Sequence, residues 1–132
     1  MSLAKLVIVD DEEDLLELLA YNFQRKGYEV VSFNRALPAM DHIRKERPDL
    51  VLCDWMMPEM DGLSLCKRLK GSIDMADLPF IMFTCRTESL AERQALAAGV
   101  TDFITKPIGM TELLDRVNQV LTDQGRMRGR AS

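Results

Sequence analysis

The sequence predicts an α/β fold of five successive strand–helix units, with a parallel sheet covered by helices on both faces. Three observations carry this expectation. Five short apolar runs rich in β-branched and aromatic residues recur along the chain: Leu6–Val9, Tyr28–Phe33, Leu50–Cys53, Phe80–Phe83 and Asp102–Ile104. Most are apolar throughout rather than alternating, which is the pattern of strands buried on both sides. Helical patterns lie between them, and strand–helix alternation with right-handed crossovers builds a parallel sheet.

Taken in order, the first strand runs into Asp10-Asp11-Glu12-Glu13. Leu15, Leu18, Leu19, Asn22 and Phe23 follow at i, i+3, i+4 spacing and predict a first helix with these residues inward, stopped by Gly27. The second strand ends at Phe33-Asn34 and offers no reactive side chain, which suits a sheet edge. Leu37, Met40 and Ile43 predict a second helix before Pro48, with Pro38 tolerated in its first turn. The third strand, Leu50–Cys53, stops abruptly at Asp54. An apolar loop, Trp55-Met56-Met57-Pro58, and an Asp61-Gly62 turn lead into a third helix carrying Leu63, Cys66 and Leu69 and closed by Gly71. Ser72–Pro79 reads as an irregular loop. The fourth strand runs into Thr84, and Leu90, Ala91, Ala95 and Ala98 predict a fourth helix closed by Gly99. The fifth strand runs into Thr105-Lys106-Pro107, and Leu113, Leu114, Val117 and Leu121 predict a fifth helix. No linker or repeat divides the chain. One domain is expected over residues 4–122, with a basic flexible tail or truncated linker over 123–132 that carries Arg126, Arg128 and Arg130.

Composition narrows the class. The chain has 132 residues, 47% hydrophobic and 29% charged, which is enough for one hydrophobic core and unlike a disordered chain. No apolar run approaches the roughly 20 residues of a membrane span, so no membrane insertion is expected. The N-terminus has neither the basic region nor the long apolar stretch of a secretion signal. Cys53, Cys66 and Cys85 form no CxxC pair, and His42 is the one histidine, so a His/Cys zinc site is not expected. The cysteines read as buried small hydrophobes in a reducing, cytoplasmic compartment, and His42 as part of a solvated helix face. A net charge of -4 argues against nucleic-acid binding by the domain as a whole.

The polar residues gather at strand ends. A parallel sheet places every carboxyl end on one edge, the edge where open α/β sheets bind ligands. Asp10, Asp11, Asp54, Thr84 and Lys106 should therefore converge. Three carboxylates a few Å apart cannot all ionise without compensation. A hard divalent cation such as Mg²⁺ together with one lysine supplies it and leaves a site ready for an anionic group. There is no GxxxxGK[ST] loop, no GxGxxG after the first strand and no Ser-His-Asp set. What remains is a carboxylate nucleophile that takes a phosphoryl group with a metal's help. Some acids have plainer readings: Asp11 or Glu12 as a cap of the first helix, Asp61 as a turn residue and Glu13 as a structural acid. Capping does not explain why Thr84 and Lys106 share the edge.

"VDDEED", "DWMMPEMDG", "FTCRTE" and "DFITKP" resemble, in order and spacing, the four signature blocks of response-regulator receiver domains of two-component signalling. The resemblance runs from about Lys5 to Leu121 and is nearest to receivers of the winged-helix transcription-factor class. It implies a flavodoxin-like (βα)5 three-layer sandwich with strand order 2-1-3-4-5. It implies that Asp54 is the phosphoacceptor and that Asp10, Asp11, Asp54 and the Met56 carbonyl hold Mg²⁺, with Mn²⁺ as a substitute. Thr84 and Lys106 would contact the phosphoryl group, the Lys106–Pro107 bond would be cis, and Thr84 with Phe103 would form the switch. The implied donor is a sensor histidine kinase, a phosphotransfer protein or a small acyl phosphate. The implied target is an output domain or downstream protein, reached through the face of helix 4, strand 5 and helix 5. Homodimerisation through that face has thin support. Asp102 and Arg116 could supply one charged pair, but Ala97, Ala98, Thr101 and Asn118 stand where other charges would be needed. Direct nucleic-acid binding by this domain is not implied. Two other readings compete. An interaction module working without phosphorylation is disfavoured by the complete acidic set with Thr84 and Lys106. An aspartate-nucleophile hydrolase would want an acid where Met56 stands. Cys85 occupies a place where the family commonly has alanine, and Arg86 and Met56 lie where residues tune dephosphorylation.

Overall fold

A computed structural model of the chain describes residues 2–128. Five strands, β1 Lys5–Val9, β2 Glu29–Phe33, β3 Leu50–Cys53, β4 Phe80–Thr84 and β5 Asp102–Thr105, form one parallel sheet in the order β2-β1-β3-β4-β5. The helices are α1 Glu13–Arg25, α2 Ala36–Glu46, α3 Gly62–Lys70, α4 Ser89–Ala97 and α5 Met110–Asp123. The central apolar runs are covered on both faces, with every residue of β3 and β4 buried, whereas β2 and β5 at the sheet edges are largely half-buried. Alternate strand residues point to opposite sides. Val7, Val9, Val51, Cys53, Phe80 and Met82 form the layer under α2, α3 and α4. Leu6, Ile8, Leu50, Leu52, Ile81 and Phe83 form the layer under α1 and α5.

Several expectations are corrected in detail. The buried face of α1 is Leu16, Leu19 and Phe23, whereas Leu18 is 51% exposed. Four leucines spread over two adjacent arcs allow more than one rotation of that helix, and packing on the sheet selects one. In α4, Leu90 points to solvent while Ala91 and Ala95 face the sheet, since small side chains let the helix approach closely. Leu37 is likewise exposed at the start of α2, beside buried Met40 and Ile43. Within 72–79 a 3₁₀ turn, Ile73–Met75, buries Met75 and Leu78. Cys53 and Cys66 are buried as expected, but Cys85 lies in the loop after β4 and is exposed. His42 is half-buried against the ring of Phe33, 5.3 Å between centroids. Asp102 is paired within the chain, its carboxylate accepting from the Arg116 guanidinium at 2.8–3.0 Å. Of the three tail arginines, Arg126 and Arg128 are among the described residues and Arg130 lies outside them. Among the described residues no helix is long and apolar enough to cross a membrane.

Candidate functional site

The sheet's own hydrogen bonds position the site. Asp10, Asp54 and Lys106 each stand one residue beyond a strand, and their amides extend the ladder. The Asp10 N–H donates to the Phe33 carbonyl (3.0 Å), the Asp54 N–H to that of Val9 (2.9 Å) and the Lys106 N–H to that of Thr84 (2.8 Å). Residues far apart in sequence are thereby held at one edge.

Their side chains meet there. Lys106 Nζ donates to Asp10 Oδ2 at 2.8 Å and to Asp54 Oδ2 at 3.3 Å. The second oxygen of Asp10 accepts from the Glu12 N–H at 2.9 Å. Asp10 and Thr84 are almost wholly buried and Asp54 is 8% exposed. Burial pushes the Asp54 carboxyl above its ordinary value; Lys106 opposes this and Asp10 adds to it. Burial also pulls the Lys106 ammonium down, but the hydrogen bond and charge of Asp10, then those of Asp54, outweigh it and the net shift is upward. The site thus pairs a lysine whose charged form its acidic neighbours favour with a carboxylate whose charge is only partly compensated.

Asp10, Asp11 and Asp54 each offer a carboxylate oxygen, all within 4.8 Å of one another. An all-oxygen set fits a hard cation such as Mg²⁺ or Mn²⁺. The neighbouring Cys53 thiol does not join it: burial, then the charge of Asp54, raises its pKa well above the usual thiol value, and Sγ donates to the Asp54 carbonyl at 3.1 Å. Neither Asp11 nor Glu12 makes a side-chain cap on α1. Glu12 is the capping residue without such a bond, and Asp10 takes its N–H instead. Asp61 does act as a cap, accepting from the Ser64 N–H at 2.8 Å.

The loop after Asp54 explains its apolar residues. Trp55 is buried, edge-on to the half-buried ring of Phe103 at 6.4 Å, with the Arg86 guanidinium 4.5 Å above its ring. The Arg86 N–H also donates to the Thr84 hydroxyl oxygen (3.3 Å). Met56 presents an exposed side chain, and its N–H reaches Asp54 Oδ1 at 3.4 Å. The Lys106–Pro107 bond is cis. Thr84 ends β4, the strand beside β3, with its hydroxyl drawn to the loop rather than to a carboxylate. Two contacts of the site were not legible in the sequence. Gly62 reads there as half of a turn, yet its N–H donates to the Trp55 carbonyl at 2.8 Å and its Cα lies against the Asp54 carbonyl. Arg86 carries no local signal of its stacking on Trp55.

Comparison with known proteins adds the following. A family model described as response regulator receiver domain matches residues 6–118. The chain is 39% identical over 119 residues to the phosphate regulon transcriptional regulatory protein PhoB of Rhizobium meliloti, covering 90% of this chain and 52% of that protein. It is 36% identical over 117 residues to the alkaline phosphatase synthesis transcriptional regulatory protein PhoP of Bacillus subtilis, covering 89% and 48%. The chain thus spans about half the length of the curated relatives it matches. Among solved structures, the CheY-like response regulator receiver domain protein of Methanospirillum hungatei superposes with a TM-score of 0.88 at 27% identity, covering 94% of this chain and 98% of that one. The BeF3-activated N-terminal receiver domain of Klebsiella pneumoniae RstA superposes with a TM-score of 0.81 at 32% identity, covering 89% and 97%.

Proposed function

Because the chain belongs to the response-regulator receiver domains of two-component signalling, we propose that it is a phosphorylatable switch whose acceptor is Asp54. The observation that carries this is the convergence of Asp10, Asp11 and Asp54 on one point, with Lys106 bridging two of them. Asp10, Asp11, Asp54 and the Met56 carbonyl would hold Mg²⁺, which would supply positive charge to offset that of the phosphoryl oxygens. Asp54 supplies the attacking oxygen: its new bond to phosphorus forms as the bond to the donor breaks, and the donor leaves as imidazole or as a carboxylate. Lys106 holds one phosphoryl oxygen and stabilises charge in transfer. Thr84 gives up its bond from Arg86 and turns its hydroxyl to another oxygen. Phe103, packed on Trp55, follows, and the face of α4, β5 and α5 shifts its population between two states. Water attack on the acyl phosphate resets the switch.

The donor is a sensor histidine kinase or phosphotransfer protein, and the reader is an output domain or another protein in the same cytoplasmic compartment. Incubation with Mg²⁺ and acetyl phosphate is expected to add one phosphoryl group by intact mass, and Asp54→Asn is expected to add none. No adduct, together with no response to beryllofluoride, would mean an interaction module that works without phosphate. Self-association through the α4–β5–α5 face is expected to be weak. Asp102 is already paired with Arg116, and Ala97, Ala98, Thr101 and Asn118 bring no charge. The free and beryllofluoride-treated protein should then sediment alike at high concentration, and a shift to dimer mass would overturn that expectation.

A further inference from the structure

The N-terminal edge of the sheet, opposite the acidic site, carries a buried carboxylate that phosphotransfer does not use. Asp49 immediately precedes β3 and is 2% exposed. Its N–H donates to the Lys5 carbonyl (2.8 Å), and one carboxylate oxygen accepts from the Lys5 N–H (2.7 Å), which locks β3 to β1. The other oxygen accepts from the guanidinium of Arg128. Arg128 reaches it because Gly125, at φ 66°, reverses the chain after α5. The Arg126 N–H donates to the Leu121 carbonyl (2.8 Å), and the Arg126 guanidinium donates to the Asp77 carbonyl (3.3 Å). Met127 packs on the layer under α1 and α5, and the Arg128 N–H donates to the Leu3 carbonyl (2.6 Å). Three consecutive residues thus tie the end of α5 to the starts of β1 and β3 and to the turn before β4.

We propose that residues 126–128 are a clasp, a strap that opens and closes as a unit on the Asp49 carboxylate and fastens the C-terminal end of α5 to the sheet. The closed state is favoured because an unpaired carboxylate at this depth is costly, and the bond to Arg128 is charge-assisted. Opening need not unfold the sheet, since each hydrogen-bond partner of the strap lies at or near the end of an element. The Arg128 side chain is half exposed, against 3% for Asp49, so salt reaches one side of the pair and weakens the clasp.

Amide hydrogen exchange on the whole chain tests this, with Arg128→Gln and Asp49→Asn measured beside the wild type. Asparagine keeps an acceptor for the Lys5 N–H and replaces the charged acceptor of Arg128 with an amide NH2, which cannot accept from the guanidinium. In both variants the amides of residues 126 and 128 are expected to exchange about tenfold faster or more, the factor set by one charge-assisted hydrogen bond. In the wild type, residues 126 and 128 are already expected to exchange faster than the amides of β3 and β4, because the strap opens without the sheet, and high salt should speed 126 and 128 in the same direction as the variants. Unchanged exchange at 126 and 128 would overturn the clasp. Wild-type exchange at 126 and 128 as slow as in β3 and β4 would also overturn it, since the strap would then open only with the whole fold.

Discussion

With Lys106 replaced by alanine, phosphorylation of Asp54 by acetyl phosphate and Mg²⁺ is expected to slow about 100- to 1,000-fold, the usual loss when one aimed electrostatic donor is removed. The ammonium lies 2.8 Å from Asp10 and 3.3 Å from Asp54, and all three side chains are largely buried. No other cation contacts either carboxylate among the described residues. Removal leaves two buried carboxylates facing each other, and breaking a buried ion pair from one side costs about 3–5 kcal/mol. The metal-free variant is therefore expected to unfold at lower temperature than the wild type. Saturating Mg²⁺ should recover much of that stability, because a divalent ion replaces the missing charge and binding to the folded state stabilises it. It should not recover the rate, because the lysine's hydrogen bond to the transferring group is absent. Phosphorylation followed at saturating Mg²⁺, at a temperature where the variant is folded, separates the two effects. A rate close to wild type under those conditions would remove Lys106 from the phosphotransfer site and leave it as a charge balance for Asp10.

Gly62→Ala is the second large effect. A Cβ at position 62 would stand 2.2 Å from the Asp54 carbonyl oxygen and 3.1 Å from both the Asp54 carbonyl carbon and the Trp55 Cα. All three obstacles are backbone, so no rotamer change relieves the clash. The loop after β3 must move away from the start of α3, which strains the Gly62 N–H bond to Trp55. Overpacking of this kind costs about 3 kcal/mol, or roughly 10 °C in melting temperature for a domain of this size. The displaced segment carries Asp54, the proposed phosphoacceptor, so the rate should fall as well. A shift near 1 Å in a reacting group costs about 100-fold. Thermal unfolding and phosphorylation are the two measurements. A variant that melts and reacts like the wild type would show that the loop accommodates a methyl group and that the close approach carries no function.

The order of elements was legible because each apolar run is flat and short while the segments between keep helical spacing. Those are local properties of the chain. The convergence of the candidate site residues was legible for a related reason. In a parallel sheet the residue after a strand is carried to the common edge by the same ladder, so Asp10, Asp54 and Lys106 could be grouped from strand ends alone, as their amide hydrogen bonds to Phe33, Val9 and Thr84 bear out. Recurrence of the four blocks around these residues made the family legible as well.

Other features depend on distances between elements, which no local pattern encodes. Leu16 rather than Leu18 enters the core because the rotation of α1 is set by its seat on the sheet, not by the spacing of its leucines. Leu90 faces water because Ala91 and Ala95 let α4 lie close to the sheet. Gly62 is required by an approach of two backbones, Arg86 gains its role by stacking on Trp55 across a loop, and Arg128 finds Asp49 after a chain reversal. The sequence by itself determined the element order, the sheet edge that bears the acids, and the membership of the acidic set. Only the tertiary structure decided which neighbours those residues keep, because contact between distant segments depends on how closely packed surfaces can approach.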